Sequence, residues 1–343
     1  MPLLENVEIS AVAAEGNAIA RVDDMVVFVP FGAPGDIVDI QIEKKKKSYA
    51  QGRIARLRQP GGVRIEPRCE HFTVCGGCRW QHLPYEYQLK CKRQQVVDAL
   101  SRIAKVPVPE VPECLGSKNI WYYRNKLEFT FSNRCWLTFE QLASGQEFPD
   151  RDAAGFHIPG AFDKVLDIKT CHLQDDISNR LRHFVKDYCK AHGLPFYDIR
   201  AQQGFIRTMV VRTASTGEIM LIVVVGENRP DDLKGLTDAI AAGFPQITSL
   251  MAVINTKVND TIADQDIMLC AGRPYIEEEM EGLRFRVGPK SFYQTNSAQA
   301  YELYKVARDF AALTGKEILY DLYTGTGTIA NFCAARCAKV VGV

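Results

Sequence analysis

The chain has no long apolar run. No stretch approaches the roughly 18 residues that an apolar helix needs to cross a bilayer, so a membrane partner is not expected. It does not open on a basic-then-apolar leader either. Met1 to Ser10 carry Glu5 and Glu8, which argues for a cytoplasmic protein. Net charge is nearly absent: 42 Lys+Arg against 41 Asp+Glu leave +1, and such a balance at first argues against a nucleic-acid partner. Glycine (25) and proline (16) are too few for a collagen-like or low-complexity chain, and there is no internal repeat. Apolar residues at 46% and charged residues at 24% suit a globular protein, and 343 residues suit two or three domains. Cysteine, by contrast, is plentiful, with an odd count of eleven. In a reducing compartment, clustered cysteines point to metal binding or catalysis before disulfides.

Residues 1–58 alternate like short strands: Val7–Ile9, Ala18–Val22, Met25–Val29, Asp36–Ile42 and Gly52–Leu57, with turn residues between them. Five short strands at this spacing predict a small barrel of OB type. The charge is not evenly spread. From Gln41 to Arg68, nine basic residues (Lys44, Lys45, Lys46, Lys47, Arg53, Arg56, Arg58, Arg64, Arg68) face only Glu43 and Glu66, nine less two leaving +7. A lysine-rich hairpin on an OB-type barrel points to nucleic acid, so the whole-chain balance excludes nothing.

Beyond the barrel, residues 59–91 are loop-rich. Tyr85–Ala104 is predicted as an amphipathic helix, expected to dock on the C-terminal part. Residues 105–285 read as mixed α+β, with strands at Lys126–Ser132, Ile206–Thr213, Ile219–Val225 and Met251–Asn255. Helices are expected at Asp176–His192 and Asp231–Ala242. A helix at Ser297–Leu313, with Gly315 as its C-cap, leads into a strand (Glu317–Tyr323), a glycine turn, a helix (Thr328–Cys337) and a strand start (Lys339–Val343). That is a βαβ unit, and the chain stops inside it. The expected fold is therefore multidomain: an OB-like β-barrel over 1–58, a central α+β domain over 59–285, and the start of a Rossmann-like α/β domain over 286–343.

Two patterns carry chemistry. Cys69, Cys75 and Cys78 form C-x5-C-x2-C with Gly76-Gly77 between the last two. Cysteines two residues apart can reach one metal centre, and the glycines let the backbone wrap around it. Cys91 and Cys171 are candidates for the fourth ligand, with His71 and His82 available if the metal is zinc. Thiolate sites suit zinc or an iron–sulfur cluster, and spacing does not choose. Cys114, Cys135, Cys189, Cys270, Cys333 and Cys337 are scattered and read as small core residues. The second pattern is Asp321-Leu322-Tyr323-Thr324-Gly325-Thr326-Gly327-Thr328, between an apolar strand and a helix. Its glycines allow a tight turn and close approach of a nucleotide-like ligand. The acid that would bind a ribose is expected near where the chain ends, so that test does not separate NAD from S-adenosylmethionine. Asp321, four residues before Gly325, favours S-adenosylmethionine.

Together these features resemble the RumA-type RNA (uracil-5-)-methyltransferases, along the whole chain and least in the middle. The barrel is similar to their TRAM domain. Cys69-x5-Cys75-Gly76-Gly77-Cys78, followed by Gln81-His82-Leu83, resembles the family's cluster motif. The resemblance implies a 4Fe–4S cluster in a central iron–sulfur domain. It also implies Cys171, after Asp167-Ile168-Lys169-Thr170, as fourth ligand in preference to Cys91. Tyr123-Arg124-Asn125-Lys126 matches a segment expected near RNA, which implies roles for Arg124 and Lys126 there. Ser291-Phe292-Tyr293-Gln294-Thr295-Asn296 matches a Phe-x-Gln-x-Asn motif, which implies that Gln294 contacts S-adenosylmethionine and that Phe292 stacks on RNA bases; unaided, Phe292 reads as core. In the turn, Tyr323 and Thr328 occupy ligand-contacting positions beside Asp321, Gly325 and Gly327. Thr324 stands where many relatives have Cys.

The resemblance implies methylation of uridine C5, most readily in 23S rRNA. Carbon 5 is a weak nucleophile until a cysteine thiolate adds to C6. The target base must also leave its stack. The family's nucleophilic Cys, base Glu and ribose-binding acid lie beyond the cofactor turn, and only 16 residues follow Gly327. Cys333 and Cys337 fall in the helix after the turn and match neither. The chain is therefore expected to be a C-terminally truncated monomer that binds RNA and does not turn over alone. A non-catalytic RNA-binding iron–sulfur or zinc module, a tRNA (uracil-5-)-methyltransferase and a dinucleotide-dependent oxidoreductase are the competing readings.

Overall fold

The computed structural model describes residues 2–108 and 110–343; Met1 and Pro109 lie outside the described residues. The chain divides into two compact units, one ending at Ser117 and one running from Lys118 to Val343.

In the first unit, β1 (Leu3–Val12), β2 (Asn17–Val22), β3 (Met25–Pro30), β4 (Ile37–Lys45) and β5 (Tyr49–Gln59) close into a barrel in the order β1-β2-β3-β5-β4. β1 pairs with β4, and β3 lies parallel to β5. This is the OB-type barrel that the alternating segments predict. Alternation sends Ile9, Ala20, Val27, Val29, Val38 and Ile40 into one apolar core, and burial of such side chains is worth about 1.5–3 kcal/mol each. Gly52 has a steric reason to be glycine: a Cβ there would stand 2.7 Å from the Gln41 carbonyl oxygen and from Ile40.

A buried carboxylate ties the barrel to the loop beyond it. Asp36, fully buried, accepts from the N–H groups of Ala33 (2.7 Å) and Gly61 (2.8 Å) and from Arg64 Nη2 (2.6 Å). Arg64 also donates to the Phe31 carbonyl at 2.7 Å. Burial pushes the Asp36 pKa up, but the Arg64 hydrogen bond and the two backbone donors outweigh it and leave the pKa below its ordinary value.

Helix α1 (Tyr85–Asp98) then runs into a π-type turn over Ala99–Ile103. The sequence predicts one continuous helix to Ala104. The structure instead widens the last turn, with Ala104 N–H donating to Ala99 O at 2.9 Å. No α1 side chain is fully buried. Hydrogen bonds hold α1 instead: Gln88 donates to the carbonyls of Trp80 and Leu83 at 3.0 Å, and Arg93 to Val111 O at 2.6 Å.

The second unit is built on β6 (Lys126–Ser132), β7 (Ala153–Ile158), β8 (Ala161–Asp167), β9 (Ile206–Thr213), β10 (Ile219–Val225), β11 (Ser249–Ile254) and β12 (Met268–Gly272). They form a seven-stranded sheet in the order β12-β11-β10-β9-β6-β7-β8. A short helix, α2 (Phe139–Ala143), precedes β7, and α3 (Ile177–Ala191) and α4 (Pro230–Gly243) follow β8 and β10. Arg182 of α3 stacks over Phe129, so α3 covers the face on which Phe129 points. Strand alternation places Val210 on the opposite face. There the sheet packs on the hairpin β13 (Ile276–Met280) and β14 (Leu283–Val287), on α5 (Ser297–Phe310) and on the last βαβ unit. That unit is β15 (Ile318–Asp321), α6 (Thr328–Ala334) and β16 (Lys339–Gly342), with β15 and β16 parallel.

Helix α5 stops at Phe310, three residues before the predicted end. Gly315 (φ +89°) donates its N–H to Arg336 O at 3.1 Å, so it shapes the entry to β15 and does not cap α5. Among the described residues, no helix is long and apolar enough to cross a membrane.

Asp36→Ala should destabilise the first unit by about 3–5 kcal/mol in chemical denaturation, because it removes the counter-charge of Arg64 and leaves two N–H donors unpaired. The wild-type stabilisation from Asp36 should be present above pH about 4 and fade as pH falls through its lowered pKa. A loss below about 1 kcal/mol would contradict this account.

Candidate functional site

Lys44 and Lys45 end β4, and Lys46 N–H donates to Tyr49 O at 2.8 Å to close the β4–β5 hairpin. The four lysines Lys44 to Lys47 are exposed and form no ion pair among the described residues. Other cations of this segment are answered locally, Arg58 by Asp39 at 2.7 Å and Arg64 by Asp36. The hairpin tip therefore concentrates the unanswered charge.

The cysteine loop hangs from the same unit. His82 is buried, and its Nε2 lies 3.1 Å from Gly32 O. Its ring stacks near Phe72 (5.4 Å). Burial lowers its pKa. This histidine anchors the loop to the barrel and is not free to ligate a metal through that nitrogen. Cys69 N–H donates to Gln81 Oε1 at 3.1 Å, and Gly77 N–H points at Cys75 Sγ at 3.4 Å. Burial raises the Cys69 pKa, and the nearby Cys78 thiol adds to the rise. Nevertheless, no group of three His, Cys, Asp or Glu among the described residues is gathered as a metal site. Cys91 lies on α1, with its thiol pKa raised by burial.

Cys171 belongs to the second unit and is buried. Asn179 of α3 clamps its backbone: Cys171 N–H donates to Asn179 Oδ1 (2.8 Å), and Asn179 Nδ2 donates to Cys171 O (3.1 Å). Arg182 donates to the carbonyls of Ala154, Ile168 and Lys169, and its burial brings its pKa down to about 10. The segment before Cys171 is thus held in shape by α3.

The two sequence motifs that bear on RNA meet in the second unit. Asn125 N–H donates to Thr295 O at 2.8 Å, and its side-chain amide donates to Gln294 O (2.7 Å) and Ser297 Oγ (2.8 Å). Asn296 caps α5 by accepting from Gln299 N–H at 3.0 Å, as short polar residues at helix starts do. The Ser297 hydroxyl in turn donates to Glu278 Oε1 at 2.8 Å. Phe292 is 73% exposed, not the core residue that its type alone suggests. Gln294 is exposed as well.

Beside this junction lies a cavity of about 380 Å³ lined by residues that include Lys126, Glu128, Arg212, Asp260, Phe292 and Tyr293. Lys126 and Arg212 are cross-strand partners on β6 and β9. Desolvation lowers the Lys126 pKa, with Arg212 adding to the effect. Desolvation by the cavity walls raises the Glu128 pKa, and Asp260 adds to the rise against the pull of Lys126. Arg212 donates to Ser291 O at 2.7 Å, which fixes the backbone just before Phe292. The outer wall is the loop 255–265. It is held by Arg207, which donates to the carbonyls of Asn255, Lys257 and Val258 and to Asp260 Oδ1, and stacks 4.5 Å above Tyr197. Arg124 does not line the cavity.

The glycine turn is internally tied. Asp321 Oδ2 accepts from Thr324 Oγ1 (2.9 Å) and from Ala330 N–H (3.1 Å). Thr326 and Thr328 hydroxyls are 2.8 Å apart. Gly325 and Gly327 have φ of +55° and +72°, and a Cβ on Gly327 would lie 2.8 Å from Asn331 Nδ2. Tyr323 is also left-handed (φ +61°) and 98% exposed. Such strain in a non-glycine residue tends to collect at ligand sites. None of residues 321–328 lines the cavity.

Glu128, Arg212, Asp260 and Tyr293 escape the sequence reading. A signal for two of them exists: Lys126-x-Glu128 alternates on β6, and Arg212 interrupts an apolar strand. Neither says that the two strands and a distant loop share one hollow.

A TRAM domain model matches residues 5–55. A Porphyromonas gingivalis protein described as an uncharacterized RNA methyltransferase is 56% identical over 341 residues, covering 98% of this chain and 73% of the relative. A second of the same description, from Bacteroides thetaiotaomicron, is 54% identical over 96% of this chain and 74% of its own length. The solved Pyrococcus abyssi tRNA (uracil-54, C5)-methyltransferase, in complex with S-adenosyl-L-homocysteine, superposes with a TM-score of 0.68 at 25% identity, over 97% of this chain and 71% of that one. These likenesses define a class, RNA methyltransferases with a TRAM barrel. Within it, the chain belongs to the RumA-type RNA (uracil-5-)-methyltransferase family.

Asn125→Ala should cost about 1–3 kcal/mol and speed hydrogen exchange across residues 289–297, where Asn125 pins the backbone. Exchange there that matches wild type would contradict the role given to Asn125.

Proposed function

We propose that this chain serves methyl transfer from S-adenosylmethionine to C5 of a uridine in RNA, as a cytoplasmic monomer acting on 23S rRNA. The observation that carries the reading is the Asn125 junction, which sets Phe292 at the lip of a polar cavity while Lys126 lines it. An exposed ring beside unpaired polar groups suits a base pulled from its stack. The lysine hairpin of the barrel would follow the RNA backbone. Gln294 and the 321–328 turn would hold the methyl donor. Asp321 keeps the turn closed, and Tyr323, Gly325, Gly327 and Thr328 present themselves to the ligand.

The covalent step needs a thiolate to add to C6, and no cysteine of these 343 residues is assigned to it. Cys333 is buried with its pKa raised by that burial, and Cys337 Sγ donates to Cys333 O at 3.4 Å. Both are structural.

For the thiols of the cysteine loop, the donor chemistry fits a 4Fe–4S cluster. Cys69 and Cys78 sense one another electrostatically, and Gly77 offers an N–H to Cys75 sulfur. Cys69, Cys75 and Cys78 would be its ligands from the first unit, where the cluster would supply a structural staple for the loop.

A second reading, action on tRNA, draws on the likeness to the Pyrococcus abyssi enzyme. Competition between a 23S rRNA fragment and a tRNA transcript for this chain separates the two.

S-adenosylhomocysteine should raise the melting temperature, NAD should not, and Gly327→Ala should abolish the shift. Stabilisation by NAD alone would instead support an oxidoreductase. Replacing Lys44 to Lys47 together with alanine should flatten the log–log salt dependence of single-stranded RNA binding by up to about 3 in slope. An unchanged slope would remove the hairpin from the interface. Anaerobically purified protein should carry about four irons, falling in Cys78→Ala. Iron-free protein would withdraw the cluster.

A further inference from the structure

The cavity beside Phe292 is lined by charged groups of both signs, Lys126 and Arg212 with Glu128 and Asp260. Arg212 is 7% exposed, and its Nε is buried without a hydrogen-bond partner. The side chains of Lys126, half-buried, and Glu128, exposed, lie within electrostatic reach of each other but make no hydrogen bond or ion pair among the described residues. Asp260 spends Oδ1 on Arg207 and leaves Oδ2 without a partner among the described residues. A buried polar atom is normally satisfied, and Arg212 Nε is the exception among these. A buried guanidinium short of a partner, beside a half-buried ammonium and exposed carboxylates, suits a ligand that carries both donors and acceptors.

Among the faces of RNA, the nucleobases differ in how they would answer these groups. A carboxylate can accept two parallel bonds only from a base with adjacent N–H donors. Guanine has them, at N1 and N2. Its O6 and N7 are acceptors of the kind that cationic side chains seek. Uracil offers one ring N–H and two carbonyls. Adenine and cytosine offer a single amino group beside a ring acceptor, which would face the carboxylate with a lone pair. Phe292 at the lip supplies the apolar face on which an unstacked base rests.

We propose that this cavity is a nucleotide pocket that selects an unpaired guanine of the substrate RNA, with Glu128 accepting its N1–H and N2–H and with Lys126 and Arg212 facing its acceptor edge. The proposal rests on the RNA reading above and adds a sequence preference to it. Glu128 is the specificity residue, and Phe292 the sequence-blind support. Arg207 positions the pocket wall that carries Asp260.

Four fluorescein-labelled heptamers test this by anisotropy: UUUGUUU, UUUAUUU, UUUCUUU and UUUUUUU. The wild-type chain should prefer the guanine heptamer by about tenfold. Glu128→Gln and Glu128→Ala, each checked for an unchanged melting transition, should bring all four affinities within about threefold of one another. Phe292→Ala should weaken all four alike. Equal wild-type affinity for the four would overturn the pocket but leave the RNA reading standing. A guanine preference that survives both Glu128 variants would overturn the role of Glu128. If no heptamer binds, or binding ignores salt, the RNA reading falls and takes the pocket with it.

Discussion

The three hydrogen bonds of Asn125 join two segments about 170 residues apart in the chain. One leads into the central sheet through β6, and the other leads into α5 and the final βαβ unit. An apolar core brings the sheet against α5 and the final βαβ unit. An amide side chain, with two donors and a backbone N–H beside it, makes the pairing specific. Once it forms, Phe292 has no place in a core, Lys126 and Glu128 point into a hollow, and Arg212 reaches the Ser291 carbonyl. The candidate RNA site is therefore a by-product of one polar clamp between elements that hydrophobic packing has brought near.

Charge follows the same local logic. The whole chain is almost neutral, but the second half of the barrel segment is not. Ion pairs such as Arg58–Asp39 and Arg64–Asp36 remove cations from the count and stabilise the barrel, and what they leave is gathered at the Lys44–Lys47 tip. Within the second unit, the cavity carries cations and carboxylates side by side, which suits reading a base more than gripping a phosphate. On the proposed reading, the barrel hairpin would supply backbone attraction and the cavity base recognition.

Much of the fold was legible in the sequence. The five barrel strands, β6, β9, β10, α3, α4 and the final βαβ unit show clear periodicity. The hairpin β13–β14 was missed because Ile276–Met280 contains three consecutive glutamates, which read as surface. In the structure one of them, Glu278, is buried and accepts from Ser215 N–H and Ser297. The π-type turn after α1 was missed because periodicity does not register a one-residue widening. Of the motif residues, Phe292 and Lys126 line the cavity and the glycine turn does not, and Phe292 taken by its type alone reads as core. Glu128, Arg212 and Asp260 were not legible, since they come from two strands and a loop that only the sheet order brings together. The cysteine spacing suggested a gathered metal site, whereas no group of three His, Cys, Asp or Glu is gathered as one among the described residues.

The central claim is that RNA lies along the lysine hairpin of the barrel and over the Phe292 cavity of the second unit. Ultraviolet cross-linking of a 4-thiouridine-bearing RNA to this chain, with adducts mapped by mass spectrometry, tests it most directly. The account predicts adducts at Lys44–Lys47 and at residues around Lys126 and Phe292. Adducts confined to the α3–α4 face of the sheet would contradict it.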